Sequence, residues 1–305
     1  MRSRWQRFKD SFFLYSFLRD PMAYVSFAIL LVLVVSAFGA PIIAPHDPYD
    51  PTTIDIMDSE LPPAWSEEGD SRFLLGTDDM GRDMLSTMLY GMRISIVIGV
   101  GAVALQAFLG IVIGLLSGYI KRLDNIMMRI ADVQLSFSTY MIAIFIGAIF
   151  QTVFGVENYG KIAAPLLILI IGLAEWPQYA RTVRASVLAE RKKEYVEAAR
   201  IIGLSKVRIM WRHILPNTLS PVLVISTVQV ANAIMSEAAL SFIGLGMPMN
   251  KPSLGSLITA GFEYIFSGAW WITILPGILL VLLVLVINLL GDWIRDFLNP
   301  KLYKG

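Results

Sequence analysis

The sequence contains no cysteine and only two histidines, His46 and His213. Lack of thiols excludes a disulfide framework and any thiolate metal site, and two imidazoles so far apart give no zinc-ligand spacing. Charge is scarce as well. Asp, Glu, Lys and Arg make up 16% of the 305 residues, against about a quarter in ordinary soluble domains. The H-E-x-x-H, G-x-S-x-G and Asp-rich loop patterns are missing. "GVENYGKI" (155–162) approaches the phosphate-cradling G-x-x-x-x-G-K-[ST]. It places Ile162 where a hydroxyl must hold magnesium, and no strand precedes it. "TDDMGRD" (77–83) carries three carboxylates without the spacing of a calcium loop, so capping and pairing with Arg82 are its expected roles. An ATP-independent channel or carrier needs a filter, a charged ring or a chain of intramembrane acids, and none is evident. An intramembrane enzyme needs a nucleophile with its base, or a metal, and the Ser and His arrangements supply neither.

What is present is apolar: 56% hydrophobic residues and a mean hydropathy of +0.64. A helix needs about 20 mostly apolar residues to cross a bilayer core. Six stretches approach this: 24–44, 94–120, 133–156, 162–180, 214–236 and 271–291. The first follows Arg2, Arg4, Arg7 and Lys9 but is longer than a signal-peptide core, which predicts a retained anchor. With the N-terminus in the cytoplasm, segments 1–20, 121–129, 181–213 and 292–305 hold 20 of the 25 Lys and Arg residues. That asymmetry predicts both termini inside. Trp270, Trp271 and Trp293 flank the last span, where indoles favour the headgroup region. The expected fold is an all-α integral membrane protein with six transmembrane helices. Its parts are a cytoplasmic segment 1–23, a first span 24–44, a periplasmic segment 45–93, a core 94–291 containing a cytoplasmic loop 181–213, and a tail 292–305.

Gly110, Gly114 and Gly118 recur every fourth residue, predicting a helix face that lets another backbone come close. Pro165, Pro177, Pro221 and Pro276 predict kinks. Asp132, Glu175 and Glu237 are the ionisable residues within or beside the apolar runs, and Glu237 falls at the end of the fifth.

The polar interruption "EYVEAARIIGLSKVRIMWRHILPN" (194–217) reads as two short helices. The first, 193–202, aligns Tyr195, Ala198, Ala199 and Ile202 on one apolar face with Glu197 on its flank. Gly203 suits a left-handed helix stop, Ser205 caps the second helix, and Pro216 is its expected end. Connections between packed helices are usually short. About 30 residues of ordered structure with a shallow Ala-floored ridge therefore point to a separate partner gripping this surface.

At these residues the chain resembles the permease subunits of bacterial ABC importers, whose EAA loop runs Glu-Ala-Ala, three residues, Gly, nine residues and an Ile-x-Leu-Pro-like end. His213 begins "HILPN", the form typical of the peptide branch. "APHDPYDP", "LLGTDDMGRDMLSTMLYGMRIS", "RTVRASVLAE", "SEAALSFIGLG" and "LPGILLVLLVLVINLLGDWIRDFLNPKL" extend the likeness over nearly the full chain, closest to the C-type subunit of the dipeptide/oligopeptide (peptide/nickel) family. The resemblance implies a five-helix type I importer core with the first span added outside it. It implies ATPase coupling through Glu194, Tyr195, Glu197, Ala198, Ala199, Arg200, Gly203, His213 and Pro216, and an outer gate or translocation path near Glu237 and Ser241. It implies no catalytic residue, metal or cofactor on this chain, with ATP and Mg on partner subunits. The implied partners are a B-type permease subunit, two ABC ATPases, a periplasmic or lipid-anchored binding protein and membrane lipid, and not nucleic acid. Di- and oligopeptides are the implied cargo; nickel chelates, oligosaccharides and antimicrobial peptides fit the same architecture. The acids of 45–70 face either the binding protein or plain solvent.

Overall fold

The computed structural model describes residues 12–50, 52 and 54–298. Arg2, Arg4, Arg7, Lys9, Lys301 and Lys304, and the side chain of Lys161, lie outside the described residues. Twelve α-helices follow one another, and no strand forms among the described residues beyond an isolated Thr77–Asp83 bridge. They are α1 Phe12–Arg19, α2 Pro21–Phe38, α3 Ala40–Ile43, α4 Met84–Tyr119, α5 Lys121–Leu135, α6 Thr139–Phe154, α7 Val156–Glu190, α8 Glu194–Ile201, α9 Lys206–Ile209, α10 Leu215–Phe242, α11 Leu254–Phe262 and α12 Trp271–Phe297. Five helical stretches are long and apolar enough to span a membrane: 21–38, 84–119, 162–190, 206–242 and 271–297. A sixth arises if α5 and α6 together count as one broken span. By contacts the chain divides into two compact units, 1–97 with 241–305, and 98–240.

In the first unit α2 starts cleanly because Asp20 accepts from the backbone of Met22 and Ala23, with Pro21 in the first turn. Arg93 lies over the Phe38 ring at 5.6 Å. Phe17 meets Trp293 edge-on at 5.2 Å, and Trp293 stacks on Phe297. Met84, Met88, Leu257, Ala269, Trp271 and Ile272 form a buried cluster. Trp271 is not an interfacial anchor. Its ring is buried and its Nε1 donates to the Thr77 carbonyl at 3.0 Å, whereas the neighbouring Trp270 stays exposed.

The segment 45–83 has little regular structure and is fixed by polar groups. Asp78 and Arg82 form an ion pair at 2.7 Å, both almost wholly buried. Arg82 also donates to the Met249 carbonyl at 2.7 Å, and Asp83 accepts from the Ser86 backbone at 2.8 Å to start α4. The "TDDMGRD" motif therefore caps and pairs, and no metal-holding cluster of acids and histidines occurs among the described residues. Several acids nearby are turn formers: Asp47, Asp50 and Asp55 each accept from the backbone two residues on. Asp58 and Asp70 share Arg72.

In the second unit the glycine face of α4 meets α7. An added Cβ at Gly110 would stand 2.1 Å from Tyr179 Cβ, at Gly114 2.6 Å from the Ala180 carbonyl, and at Gly118 2.7 Å from Val187 Cβ. Only residues without side chains fit this seam. Tyr179 is fully buried there, its hydroxyl 3.1 Å from Ser226 Oγ. The apolar run 133–156 does not form one helix. α5 is a separate amphipathic helix, and the chain bends by 89° before α6. The cause is local: Ser136 Oγ donates to the Asp132 carbonyl, and the Ser136 and Phe137 amides close turns onto Val133 and Gln134. α7 runs through Pro165 and Pro177 to Glu190, ten residues past the expected span end. Its first residues include the "GVENYGKI" segment, so 156–162 is helix rather than a phosphate-binding loop. Glu175 accepts from Thr139 Oγ1 and Gln178 Nε2, both at 2.7 Å, and Asp132 pairs with Arg181.

Candidate coupling surface

Residues 190–217 build the surface on which most of the expected site residues lie. α8 begins after Lys193 with Glu194 and Glu197 in its first turn and Arg200 in its last, the charge order that suits the helix dipole. It stops at Gly203, whose φ of +84° lies in the left-handed region. Leu204 N donates to the Ala199 carbonyl at 3.1 Å and Gly203 N to Arg200 at 3.0 Å, closing the stop. A Cβ at Gly203 would meet nothing within 4 Å, so conformation, not space, demands glycine here. Ser205 accepts from Arg208 N and starts α9, which bears out the expected cap.

The expected face of α8 is open except at one residue, Ala199. Val196 and Ala199 face the protein interior, the latter 4% exposed. Tyr195, Ala198 and Ile202 are exposed, as are Glu194, Glu197 and Arg200. The free ridge thus combines Glu194, Glu197, Ala198 and Ile201, with Ile201 87% exposed.

Pro216 does not end the second helix. α9 continues through a π-turn, Met210–Ile214, directly into α10. Leu215 N donates five residues back to the Met210 carbonyl. Proline, which has no N–H, enters just after this wide turn, and the Asn217 side chain caps the turn by donating from Nδ2 to the His213 carbonyl at 2.8 Å. Asn217 Nδ2 also donates to the Tyr195 hydroxyl at 3.1 Å, and Tyr195 donates to Glu190. Desolvation first, then the Glu190 carboxylate, push the Tyr195 phenol up to about 12. Lys193 Nζ reaches Glu190 at 2.5 Å. One network therefore joins the end of α7, α8, the π-turn and the start of α10. Glu190 and Asn217 are the members that were not among the expected site residues, although they close the "RTVRASVLAE" and "HILPN" segments.

Glu237 and Ser241 are not brought to this surface. Glu237 is 0% exposed inside α10, not at its end, and Ser241 is one turn further along. Asn217 and Glu237 are separated by about 30 Å of helix, one bilayer core, at 1.5 Å per residue. α10 is thus a continuous strut from the hairpin network to the region of Glu237.

Long apolar helices joined by a glycine seam, with a polar hairpin held at their ends, define a multi-pass membrane protein. Residues 110–304 match the model of the "Binding-protein-dependent transport system inner membrane component" family, and residues 2–63 that of the "N-terminal TM domain of oligopeptide transport permease C". The chain belongs to this family of inner-membrane permease subunits of ABC importers. It is 38% identical to the Di/tripeptide transport system permease protein DppC of Pseudomonas aeruginosa, covering 94% of this chain and 90% of that one. It is 35% identical to the Dipeptide transport system permease protein DppC of Haemophilus influenzae, over 95% of this chain and 94% of that one. With the Dipeptide transport system permease protein DppC of Escherichia coli K12 it shares 37% identity over 95% and 92%. Among solved structures, two inward-facing forms of the MetNI methionine ABC transporter share the fold, with TM-scores of 0.51 and 0.53 at 23% and 21% identity. Each match covers 71% of this chain and 98% of the transporter chain.

Proposed function

We propose that this chain is the C-type permease subunit of an ATP-driven importer of di- and oligopeptides. It pairs with a B-type permease, is driven by two ATPase subunits that bind ATP and Mg, and receives cargo from a periplasmic or lipid-anchored binding protein. Peptide cargo is supported by the peptide-transport names of relatives 35–38% identical over most of the chain. The cytoplasmic side of 181–213 is supported by the excess of Lys and Arg there. The observation that carries the mechanism is the α8 ridge, exposed along Glu194, Glu197, Ala198 and Ile201 and tied through Tyr195 to both α7 and α10. An ATPase that grips this ridge and moves as it binds and hydrolyses ATP displaces α8, and the Tyr195 network passes that displacement to α10. Glu237 and Ser241 lie at the far part of this strut, where the outer gate is proposed.

Crosslinking from Ala198 in the assembled transporter tests the grip: bonding to an ATPase subunit is expected, and its absence with the transporter intact overturns the reading. Gly203→Val forces a β-branched residue into a left-handed conformation at a cost of about 1–2 kcal/mol. It should insert normally yet uncouple ATP hydrolysis from peptide uptake. Peptide uptake at the wild-type level in both Gly203→Val and Glu197→Lys rejects the lever. Identifying the ligand retained by the cognate binding protein tests the cargo.

A further inference from the structure

A cavity of about 490 Å³ opens beside the hairpin, bounded by the end of α4, the end of α7 and the flank of α8. Lys121, Arg191, Lys192 and Arg200 give it a cationic lining. Arg191 is held in place by donating to the Gly118 carbonyl at 3.0 Å. The other three are exposed and make no ion pair among the described residues. Of the two carboxylates present, Asp124 is already engaged by Arg184 in a two-point pair, which leaves Glu197 alone against four cations. Ser117 adds an independent sign of a missing ligand. It is 1% exposed, lines the cavity, and its hydroxyl has no hydrogen-bond partner. Buried hydroxyls are normally satisfied. The N-cap of α5, Ile120, offers no side-chain cap, so the positive end of a 15-residue helix lies at Lys121, another lining residue.

We infer that this cavity binds a phosphate, and that the phosphate is the headgroup of an acidic phospholipid. The depth of the cavity favours lipid over a protein carboxylate. Ser117 and Gly118 belong to the last turn of an apolar span ending at Tyr119, Leu188 supplies an apolar wall, and Lys121 is among the first residues beyond the span. Cations just past the end of a span stand at headgroup level, and basic pockets between helix ends on the cytoplasmic side suit acidic headgroups. The inference rests on the cytoplasmic placement of 181–213 proposed above. Its consequence is mechanical: Glu197 and Arg200 line the cavity and belong to α8, so the bound headgroup touches the helix that the ATPase is proposed to move.

The test is lipid retention by the full chain in detergent, read by native mass spectrometry with phosphatidylglycerol, phosphatidylcholine or inorganic phosphate. Retention of phosphatidylglycerol over phosphatidylcholine is expected. The double variant Lys121→Ala/Lys192→Ala should weaken it about fivefold for each charge removed. Ser117→Leu fills the cavity without changing charge and should abolish the preference, while Lys251→Ala leaves it intact. Equal retention of the two lipids, or unchanged phosphatidylglycerol binding in the double lysine variant, overturns the proposal. Complete displacement of the lipid by inorganic phosphate assigns the cavity to a soluble anion and overturns the lipid assignment. Unchanged lipid binding with loss of the ATPase in the lysine variant makes the cavity a protein dock and likewise overturns it. Lipid retention is read on the chain alone and the Ala198 crosslink on the assembled transporter, so either can fail with the other standing.

Discussion

The segments 45–83 and 190–217 solve opposite problems. The first has almost no helix but is immobilised by buried polar groups: the Asp78–Arg82 pair, the Arg82 bond to Met249, and Trp271 donating to Thr77. The second is nearly all helix but leaves a ridge of acids and aliphatics in the open, held from beneath by buried Val196 and Ala199 and by the polar links of Tyr195. Regular secondary structure therefore does not measure how firmly a region is held. Fixing a loop takes buried partners, while a helix meant to be gripped leaves its contacts for something else.

Removing a partner from the first segment should do the most damage. Arg82→Ala leaves the Asp78 carboxylate buried and unpaired, a loss of about 3–5 kcal/mol, read as a lower thermal midpoint in detergent. A drop under about 1 kcal/mol would show that the segment is not held by this pair. In the hairpin, Tyr195→Phe removes a hydroxyl that links three elements. About 1 kcal/mol is expected, seen as faster amide exchange across 191–205 with the global midpoint little changed. Asp79 offers a milder probe. Burial first, then the neighbouring Asp78 charge, raise its carboxyl above the ordinary value. The folded segment then binds that proton more tightly than the unfolded chain, so stability falls as pH rises from the ordinary carboxylate range through the raised folded value. Asp79→Asn should flatten that slope. The smallest stability effect belongs to Ile201→Ser, expected within about 0.5 kcal/mol, although it should weaken ATPase binding. A large destabilisation there would mean that the ridge is part of this chain's own core.

Much of this was legible in the residues themselves. Gly110, Gly114 and Gly118 announced a close backbone approach because nothing but absent side chains explains a four-residue glycine repeat, and α7 lies there. Gly203 and Ser205 marked the hairpin's stop and start through purely local chemistry. The misses came where local and non-local forces trade places. Averaged apolarity over 133–156 concealed the Ser136–Ser138 bend, since two serines barely lower a window mean yet redirect the backbone. Trp271 reads as an interfacial indole until Thr77, 194 residues away, supplies its acceptor. Pro216 reads as a helix stop because sequence gives no warning that a wide turn precedes it.

That wide turn sets the phase of everything after it. Each residue of an α-helix advances the direction of its side chains by about 100°, and Met210–Ile214 lodges extra chain within a single turn. Forcing regular α-winding on these residues, with none deleted, would swing the inward-facing Val222, Ala231, Ile234 and Glu237 by about 100° toward the surroundings, whereas deleting one residue there would keep them facing inward. Five residues at the foot of α10 thus act as the key that decides which of its sides looks inward.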